Sequence, residues 1–240
     1  MGLYINLASV VSIVSDSTGD DTADAQVKIR RLVNEKGPGF CLITNWPFMR
    51  SDISFSITPS ANKYSGASYL PETFKRVVGA HLVDTNDSWL PLTEISIAER
   101  YNWLNPSVDN QGAPNEFCIT RPESGYFQIE FNRLPDQNYT FEADIELKWT
   151  PATSTTANLP ITDDYMETFC HFISMARARQ QGDLELYGIL KSEWWNPNDS
   201  QGSILGRALA SIKGALKRQG MKPMEPEPVS DDYNARGWNV

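Results

Sequence analysis

The period of the apolar residues changes along the chain, and this change constrains the fold more than any other feature. From 40 to 150 the apolar residues alternate with period two in short runs such as 53–57 and 139–141. Turn sequences rich in Pro, Gly and Asp separate these runs. From 162 onward the period is that of an α-helix. The sequence therefore predicts an α+β protein in which a β-rich section lies between helical ones.

A first helix is predicted over 22–36, before the β-rich section. Asp21 or Thr22 is the N-cap, because a short polar side chain there accepts a hydrogen bond from the first turn. The sequence Gly37-Pro38-Gly39 is expected to end this helix.

Three more helices are predicted after the low-complexity linker 151–157. The first begins at Thr162 as N-cap and carries an aromatic stripe, and Asp183 caps the second. The third, over 203–219, contains two glycines, each of which costs about 1 kcal/mol relative to Ala. The stripe of the first helix consists of Tyr165, Phe169, Phe172, Ile173 and Ala176.

These elements predict three parts of the chain. Residues 1–49 and 158–220 are expected to form a helical bundle, and 50–157 a β-rich domain inserted into it. Residues 221–240 contain three prolines and no apolar period, so they predict an extended C-terminal arm.

Charge is distributed unevenly along the chain. The formal net charge is −9, which excludes a protein that wraps DNA by gripping phosphates over its whole surface. Residues 84–150 hold 12 acidic and four basic side chains, a net of −8, whereas 198–220 hold four basic side chains against Asp199, a net of +3. Electrostatic fields of opposite sign from these two segments favour a protein that stacks on partners.

The sequence offers little for catalysis or for cofactors. Cys41, Cys118 and Cys170 lie far apart, and with His81 and His171 they form no pair at zinc-binding spacing. The cysteines are interpreted as buried reduced thiols, and His171 as a hydrogen-bonded core or interface residue. No phosphate-binding glycine motif or nucleophile motif is present. We therefore expect no enzyme, no cofactor and no metal.

No membrane segment or secretory signal is predicted. The longest apolar stretch near the start, Leu7–Val14, is shorter than a membrane span requires and has no Lys or Arg before it.

Two adjacent tryptophans, Trp194 and Trp195, stand near the end of the second predicted C-terminal helix. Neighbouring side chains on a helix cannot share one face, so at least one ring should reach beyond the local core. Burial in an interface and packing within the monomer are equally compatible with this pattern.

Several short motifs occur in an order that resembles the head-to-tail adaptor family of tailed bacteriophages. The resemblance spans about 22–195, and its motifs are turn sequences that precede or follow predicted strands and helices. They are Asn45-Trp46-Pro47-Phe48, Tyr69-Leu70-Pro71-Glu72, Gly112-Ala113-Pro114, Leu134-Pro135-Asp136, and Leu159-Pro160 ahead of the helix with Ala176-Arg177-Ala178.

The resemblance implies a structural virion protein without catalytic activity. Such a protein is made in the host cytoplasm and forms a homo-oligomeric ring, of twelve copies by analogy, between the capsid portal and the tail or nozzle proteins. Genomic DNA passes through the channel without specific recognition, and no membrane is involved. The expected contacts with the portal or a neighbouring copy are Trp194, Trp195, Arg207, Lys213, Lys217, Arg218, Tyr233, Arg236 and Trp238.

A carbohydrate-binding β-sandwich module with a helical appendage is the alternative function. The aromatic residues of the β-rich section motivate it, because exposed rings stack on sugars. Trp89 and Trp103 are the residues this alternative would use.

Overall fold

A computed structural model describes residues 4–103, 111–121, 126–196 and 202–218. The described residues form six helices and ten strands, which confirms a mixed α+β protein. They divide into two compact units. The helical unit comprises the described residues up to Phe48 and those from Pro151 onward, and the β unit comprises Met49–Thr150. No described helix has the length and apolar content that a membrane crossing requires.

Five helices and one pair of strands form the helical unit. The fourth helix of the chain is its centre, since most residues from Thr168 to Ala178 are buried and the other four helices pack on it. The strands β1 and β10 pair antiparallel. The bounds are β1 Tyr4–Asn6, α1 Leu7–Thr18, α2 Ala23–Cys41, β10 Asn158–Thr162, α4 Met166–Gln181, α5 Leu184–Trp194 and α6 Ile204–Arg218.

An aromatic cluster joins α2, α4 and the segment after α2. Phe40 stacks on Trp46 with ring centroids 4.5 Å apart and meets Phe169 edge-on at 5.0 Å. The Trp46 indole Nε1 donates a hydrogen bond of 2.8 Å to the Phe40 carbonyl oxygen, so the buried ring keeps a polar partner. Phe48 and Tyr165 complete the cluster at 5.4 Å from each other.

The first predicted helix continues past its expected end. α2 runs through Gly37-Pro38-Gly39 to Cys41, although a proline inside a helix costs about 3 kcal/mol. The continuation places Phe40 fully inside the aromatic cluster. Ring contacts of this kind add about 0.5–1.5 kcal/mol each beyond the burial of apolar area, and together they offset the cost of Pro38.

Two further details of the helical unit differ from the sequence interpretation. Leu7–Val14, considered there only as a possible membrane or signal segment, lies within α1, whose Leu7, Val10 and Val14 are buried. Thr162 precedes a 3-10 turn over Asp163–Tyr165 and makes no side-chain capping bond, so α4 begins only at Met166. The caps predicted at Thr22 and Asp183 are confirmed.

The β unit consists of two four-stranded sheets and a short helix. Their strand orders are β2-β9-β4-β5 and β3-β8-β7-β6, and every pair is antiparallel except β6 with β7. The bounds are β2 Arg50–Ile57, β3 Lys63–Ser65, β4 Phe74–Val83, β5 Trp89–Pro91, β6 Thr93–Glu94, α3 Ile97–Arg100, β7 Glu116–Thr120, β8 Gln128–Phe131 and β9 Tyr139–Leu147.

One apolar core joins the two sheets of the β unit. Alternate residues of β9 point into it, as the period of two predicts, and Phe141 meets Phe117 and Phe131 of the other sheet edge-on, each at 5.8 Å. The residues between them, which include Glu142, Asp144 and Glu146, point to the opposite face of the first sheet.

Candidate functional site

The outer face of the first sheet in the β unit is a network of ion pairs. Glu146 on β9 accepts hydrogen bonds of 2.5 Å from both Lys75 Nζ and Arg76 Nε. Burial by itself raises the pKa of Glu146, but the bonds from the two cations outweigh it and hold the pKa below its ordinary value. Two residues earlier, burial raises the pKa of Asp144, and Arg50 at 3.3 Å only partly offsets this. The acidic residues Asp144 and Glu146 on this face are thus paired with cations of the same unit.

A second buried carboxylate holds α3 onto the second sheet. Glu130 on β8 lies 3.2 Å from Lys63 Nζ and 2.6 Å from Arg100 Nη2, with a nearly inaccessible side chain. Trp103, just after α3, donates a 2.8 Å hydrogen bond from Nε1 to Glu116 Oε2 and is half-buried. The contacts of Glu130 and Glu116 orient the segment around α3. The Trp103 indole N–H already donates to Glu116, so it is not available to a sugar hydroxyl.

Trp89 is the exposed aromatic residue at the edge of the first sheet. Its ring is 72% exposed and stacks on His81 with centroids 4.3 Å apart and planes 19° apart. His81 Nε2 lies 3.1 Å from Glu142 Oε2, which fixes the imidazole under the indole. Of the two tryptophans assigned to the carbohydrate alternative, Trp89 is therefore largely exposed, whereas Trp103 is half-buried and its indole N–H is already bonded to Glu116.

The helix α5 exposes two large aliphatic side chains. Leu184 is 73% exposed and Ile189 is 51% exposed, and a β-carbon at Gly188 would meet nothing within 4 Å. In this eleven-residue helix only Leu190 is buried. An aliphatic side chain has no polar group for water, so each of the two gains stability from a partner that covers it.

Trp194 packs within the helical unit. Its ring lies parallel to that of His171 with centroids 6.2 Å apart, and it contacts Phe172 at 5.7 Å. Trp195, the residue after α5, is half-buried. The sequence pattern points to Trp194 and Trp195, because two adjacent rings on a helix cannot share one face, and it does not point to Leu184 or Ile189. The sequence signal that could have identified Leu184 and Ile189 is that both are large aliphatic residues outside the apolar stripe of this helix.

The basic candidates lie on α6. Arg207 is exposed and its Nη2 is 2.9 Å from Glu167 Oε1 on α4, and Lys213 is exposed. Lys217 and Arg218 are the last residues of the described helix, beyond the part whose side chains are described. The remaining candidates, Tyr233, Arg236 and Trp238, lie outside the described residues.

A polar cleft of about 420 Å³ lies between α4, α5 and α6. Glu167, Glu193 and Arg207 line it, and Arg207 pairs with Glu167. The Ser192 hydroxyl, also in the lining, donates its hydrogen bond to the Ile189 carbonyl oxygen at 2.7 Å. That hydroxyl is engaged with the backbone and contacts no base that would activate it.

Cys118 and Cys170 are buried free thiols, as predicted, whereas Cys41 at the end of α2 is only half-buried. Burial raises the pKa of Cys170 to about 12 and also raises that of Cys118, so neither is a ready thiolate at neutral pH. His171 Nε2 donates a 2.7 Å hydrogen bond to the Leu190 carbonyl oxygen, which confirms the interpretation of a hydrogen-bonded residue. Within the described ranges no three His, Cys, Asp or Glu side chains are grouped as metal ligands would be.

A scan against models of known protein families gave no match to this chain, and a search among curated proteins gave none either.

Proposed function

We propose that this protein is a structural component of a tailed-phage virion, a head-to-tail adaptor that forms a ring between the capsid portal and the tail. The order of short motifs over 22–195 supports this proposal from the sequence. The observation that supports it in the structure is the exposure of two large aliphatic side chains of α5, Leu184 and Ile189. Exposed aliphatic side chains are typical of surfaces that a partner covers, and a contact repeated between copies can close into a ring.

The proposed arrangement assigns a role to each part of the chain. The helices act as one bundle into which the β unit is inserted, and residues 221–240 act as an extended arm that reaches a neighbouring protein. The basic α6, which contains no acidic residue, faces the portal, and the acidic β unit faces the tail. DNA passes the acidic subunit without being held, because like charges repel.

Imaging of the purified protein, alone and mixed with portal rings, tests the proposal. Negative-stain images should show rings or portal-bound collars, and native mass spectrometry should show multiples of the 27.0 kDa chain. A chain that stays monomeric at the highest soluble concentration and ignores portal and tail proteins would contradict it.

The charge reversal Lys217→Glu/Arg218→Glu tests the orientation. It should weaken binding to portal rings more than binding to tail proteins, because the basic helix is assigned to the portal side. Asp52→Lys/Glu72→Lys on the β unit is the control, and it should weaken tail binding more. The reverse order would contradict the orientation and leave ring formation untouched.

Carbohydrate binding is the second candidate, and the stacked Trp89 ring favours it. A flat and largely exposed indole, held by His81 and Glu142, presents the surface on which a pyranose stacks. A glycan array should then give a signal that Trp89→Ala removes and Trp103→Ala retains, since Trp103 is bound to Glu116. An array without signal from the wild-type chain would eliminate this candidate.

A further inference from the structure

We infer that strand β2 pairs with β2 of a second copy of this chain, antiparallel and about a two-fold axis at Ser54. The first sheet of each β unit, which has four strands, then continues into one sheet of eight. A contact of this kind is symmetric and closes at two copies, so it differs from the contact that would join copies around a ring. The inference therefore goes beyond the proposed function.

The strand β2 is a long and regular edge of the first sheet. Its neighbour among the described strands is β9, and all eight residues of Arg50–Ile57 pair with β9 without a register shift. The strand contains no proline, no lysine and no glycine. A long, regular edge presents a row of unpaired backbone groups on which another strand can add.

The other edges of the two sheets carry features that hinder such pairing. The strand β5 contains Pro91, and the part of β4 beyond β5 has two register shifts between Phe74 and Gly79. The strands β3 and β6 have three residues and two residues. Proline, bulges and short length are common means by which proteins protect sheet edges. Among the described edges of the two sheets, β2 is therefore the one that is open to a partner strand.

The hydrogen-bond pattern shows which residues of β2 direct their backbone groups outward. The Lys148 N–H, directly after β9, donates a 2.6 Å hydrogen bond to the Thr73 carbonyl oxygen, directly before β4. Backbone groups along a strand alternate between its two neighbours, so the even-numbered residues of β9 bond β4 and the odd-numbered ones bond β2. Their partners in β2 are also odd-numbered. The N–H and C=O groups that point away from β9 therefore belong to Asp52, Ser54 and Ser56.

These three outward residues are exposed, and their outward groups have no backbone partner within the described ranges. The Asp52 carbonyl oxygen lies 3.5 Å from the Ser51 hydroxyl, which is at the long limit of a hydrogen bond. An antiparallel strand satisfies the N–H and the C=O of each outward residue together. The occupant that this edge requires is thus an extended backbone.

The sequence of β2 is complementary to itself in the register centred on Ser54. Ser54 then lies opposite Ser54 of the second copy, and Asp52 lies opposite Ser56, so the outward groups of all three residues are bonded. On the core side, Ile53 lies opposite Phe55 in both halves of the pair. Each of these side chains is partly buried within one copy. Pairs of a β-branched and an aromatic residue across two strands stabilise a sheet, and here they cover the remaining apolar surface.

The same register keeps the charges of the edge apart. Each Asp52 carboxylate faces a Ser56 hydroxyl, which is a hydrogen-bond donor. The two Asp52 residues are four positions apart along the strands, about 13 Å, which exceeds the screening length of about 8 Å at physiological salt. A register centred on Ile53 would bring them to about 7 Å and place Phe55 opposite Ser51. The second copy therefore fits this edge in the register centred on Ser54.

Cysteine cross-linking tests this register. The two Ser54 Cα atoms lie about 5.5 Å apart in the pair, a separation typical of disulfides, so Ser54→Cys should give a cross-linked dimer under mild oxidation. Ser56→Cys is the matched control on the same edge, because its two copies lie about 13 Å apart and cannot be bridged. Ser54→Cys should cross-link at least about tenfold faster. The wild-type chain, with its half-buried Cys41, gives the background rate.

A proline substitution tests the backbone pairing. Ser54→Pro removes the N–H at the centre of the pair but no bond to β9, and a sheet edge tolerates proline at such a position. In analytical ultracentrifugation the mass of the wild-type chain should rise with concentration toward twice 27.0 kDa. Ser54→Pro should keep the mass of one chain over the same range. Ser54→Thr, which retains the N–H, should behave like the wild-type chain.

The outcomes separate the inference from the proposed function. If Ser56→Cys cross-links as fast as Ser54→Cys, or neither exceeds the wild-type background, the inference is wrong and the adaptor proposal is unaffected. A wild-type chain that keeps the mass of one chain at every concentration also contradicts the inference, and it leaves the edge to an extended segment of another protein. If the cross-linking and the mass both agree with the β2 pair while no ring forms on portal proteins, the inference stands and the proposed function fails. The cross-linking comparison decides even where Ser54→Pro does not fold.

Discussion

The two units bury apolar cores of similar aromatic character but leave different side chains in water. In the β unit, the two most exposed large side chains, Tyr101 and Trp89, have an O–H or N–H group on the ring, and the aliphatic residues Val78 and Ile97 are less exposed. In the helical unit, the most exposed large side chains, Leu184, Leu42 and Val27, are aliphatic, and Tyr4 is less exposed. Amphipathic rings are compatible with a wet surface, whereas aliphatic helix faces are better covered.

The charges are paired in both units. On the outer sheet face of the β unit, Glu146 pairs with Lys75 and Arg76. In the helical unit, Arg177 pairs with Asp20 and Arg207 with Glu167. The exposed aliphatic side chains, rather than the charges, therefore make the helical unit the expected place for the contacts that join copies in a ring.

The largest effect on stability is expected from the aromatic cluster of the helical unit. Trp46→Ala should lower the free energy of unfolding by about 3–5 kcal/mol, because the ring is fully buried, contacts Phe40 and leaves a large cavity. Urea unfolding measures it. Trp89→Ala, on the exposed edge of the β unit, is the control and should change that free energy by no more than about 0.5 kcal/mol. If the two variants lost equal amounts of unfolding free energy, the contrast between a buried Trp46 and an exposed Trp89 would be wrong.

A smaller, pH-dependent loss in the free energy of unfolding is expected from the ion pairs of Glu146 in the β unit. The pKa of Glu146 is lowered in the folded protein, so its ion pairs stabilise the fold above the unfolded pKa of about 4.3 and lose that effect as the pH falls through the lowered value. Glu146→Gln should cost about 1 kcal/mol at neutral pH, a value reduced by water around the partly exposed Lys75 and Arg76.

Unfolding in urea at a series of pH values checks this prediction. The difference in the free energy of unfolding between wild-type protein and Glu146→Gln should be full above the unfolded pKa of about 4.3 and should shrink as the pH falls through the lowered pKa of the folded protein, where the wild-type carboxylate takes up its proton. A difference that stays constant as the pH falls through that value would show that the charge on Glu146 does not stabilise the fold.

A third prediction compares the two helix starts that the sequence treated alike. Asp183 accepts a 2.9 Å hydrogen bond from the Leu186 N–H, so Asp183→Ala should cost about 1 kcal/mol. Thr162 makes no capping bond, so Thr162→Ala should cost less than about 0.5 kcal/mol. Thermal unfolding monitored by circular dichroism distinguishes them, and a larger loss at Thr162 would contradict the assigned caps.

Local patterns in the sequence were sufficient for much of the fold. The period of two indicated β2 and β9, and the period of 3.6 indicated α4 to α6. The patterns failed where packing outweighs local preference. The burial of Phe40 stabilises α2 beyond Pro38, where the sequence predicts that the helix ends. Leu159-Pro160, expected to lead into a helix, instead lies in strand β10, which pairs with β1. Pairing with a segment some 150 residues away leaves no local signal.

The candidate site was less predictable than the fold. Which apolar residues of α5 stay exposed depends on how the helix packs on α4. The sequence pointed to the adjacent rings Trp194 and Trp195, and Trp194 packs on Phe172 within the helical unit. The ion pairs that neutralise Glu130 and Glu146 join strands distant in sequence, so the acidic count of 84–150 overstated the free charge of the β unit.

The most direct test of the central claim is the mass of the assembly formed by Leu184→Ser/Ile189→Ser, measured by native mass spectrometry beside wild-type protein. Both side chains are exposed, so the melting temperature should stay within a few degrees of wild type while ring formation is lost. The matched control Trp89→Ser/Tyr101→Ser, on the β unit, should still form rings. Rings from the α5 variant at the wild-type yield would contradict the proposal, because Leu184 and Ile189 would then have no part in joining the copies.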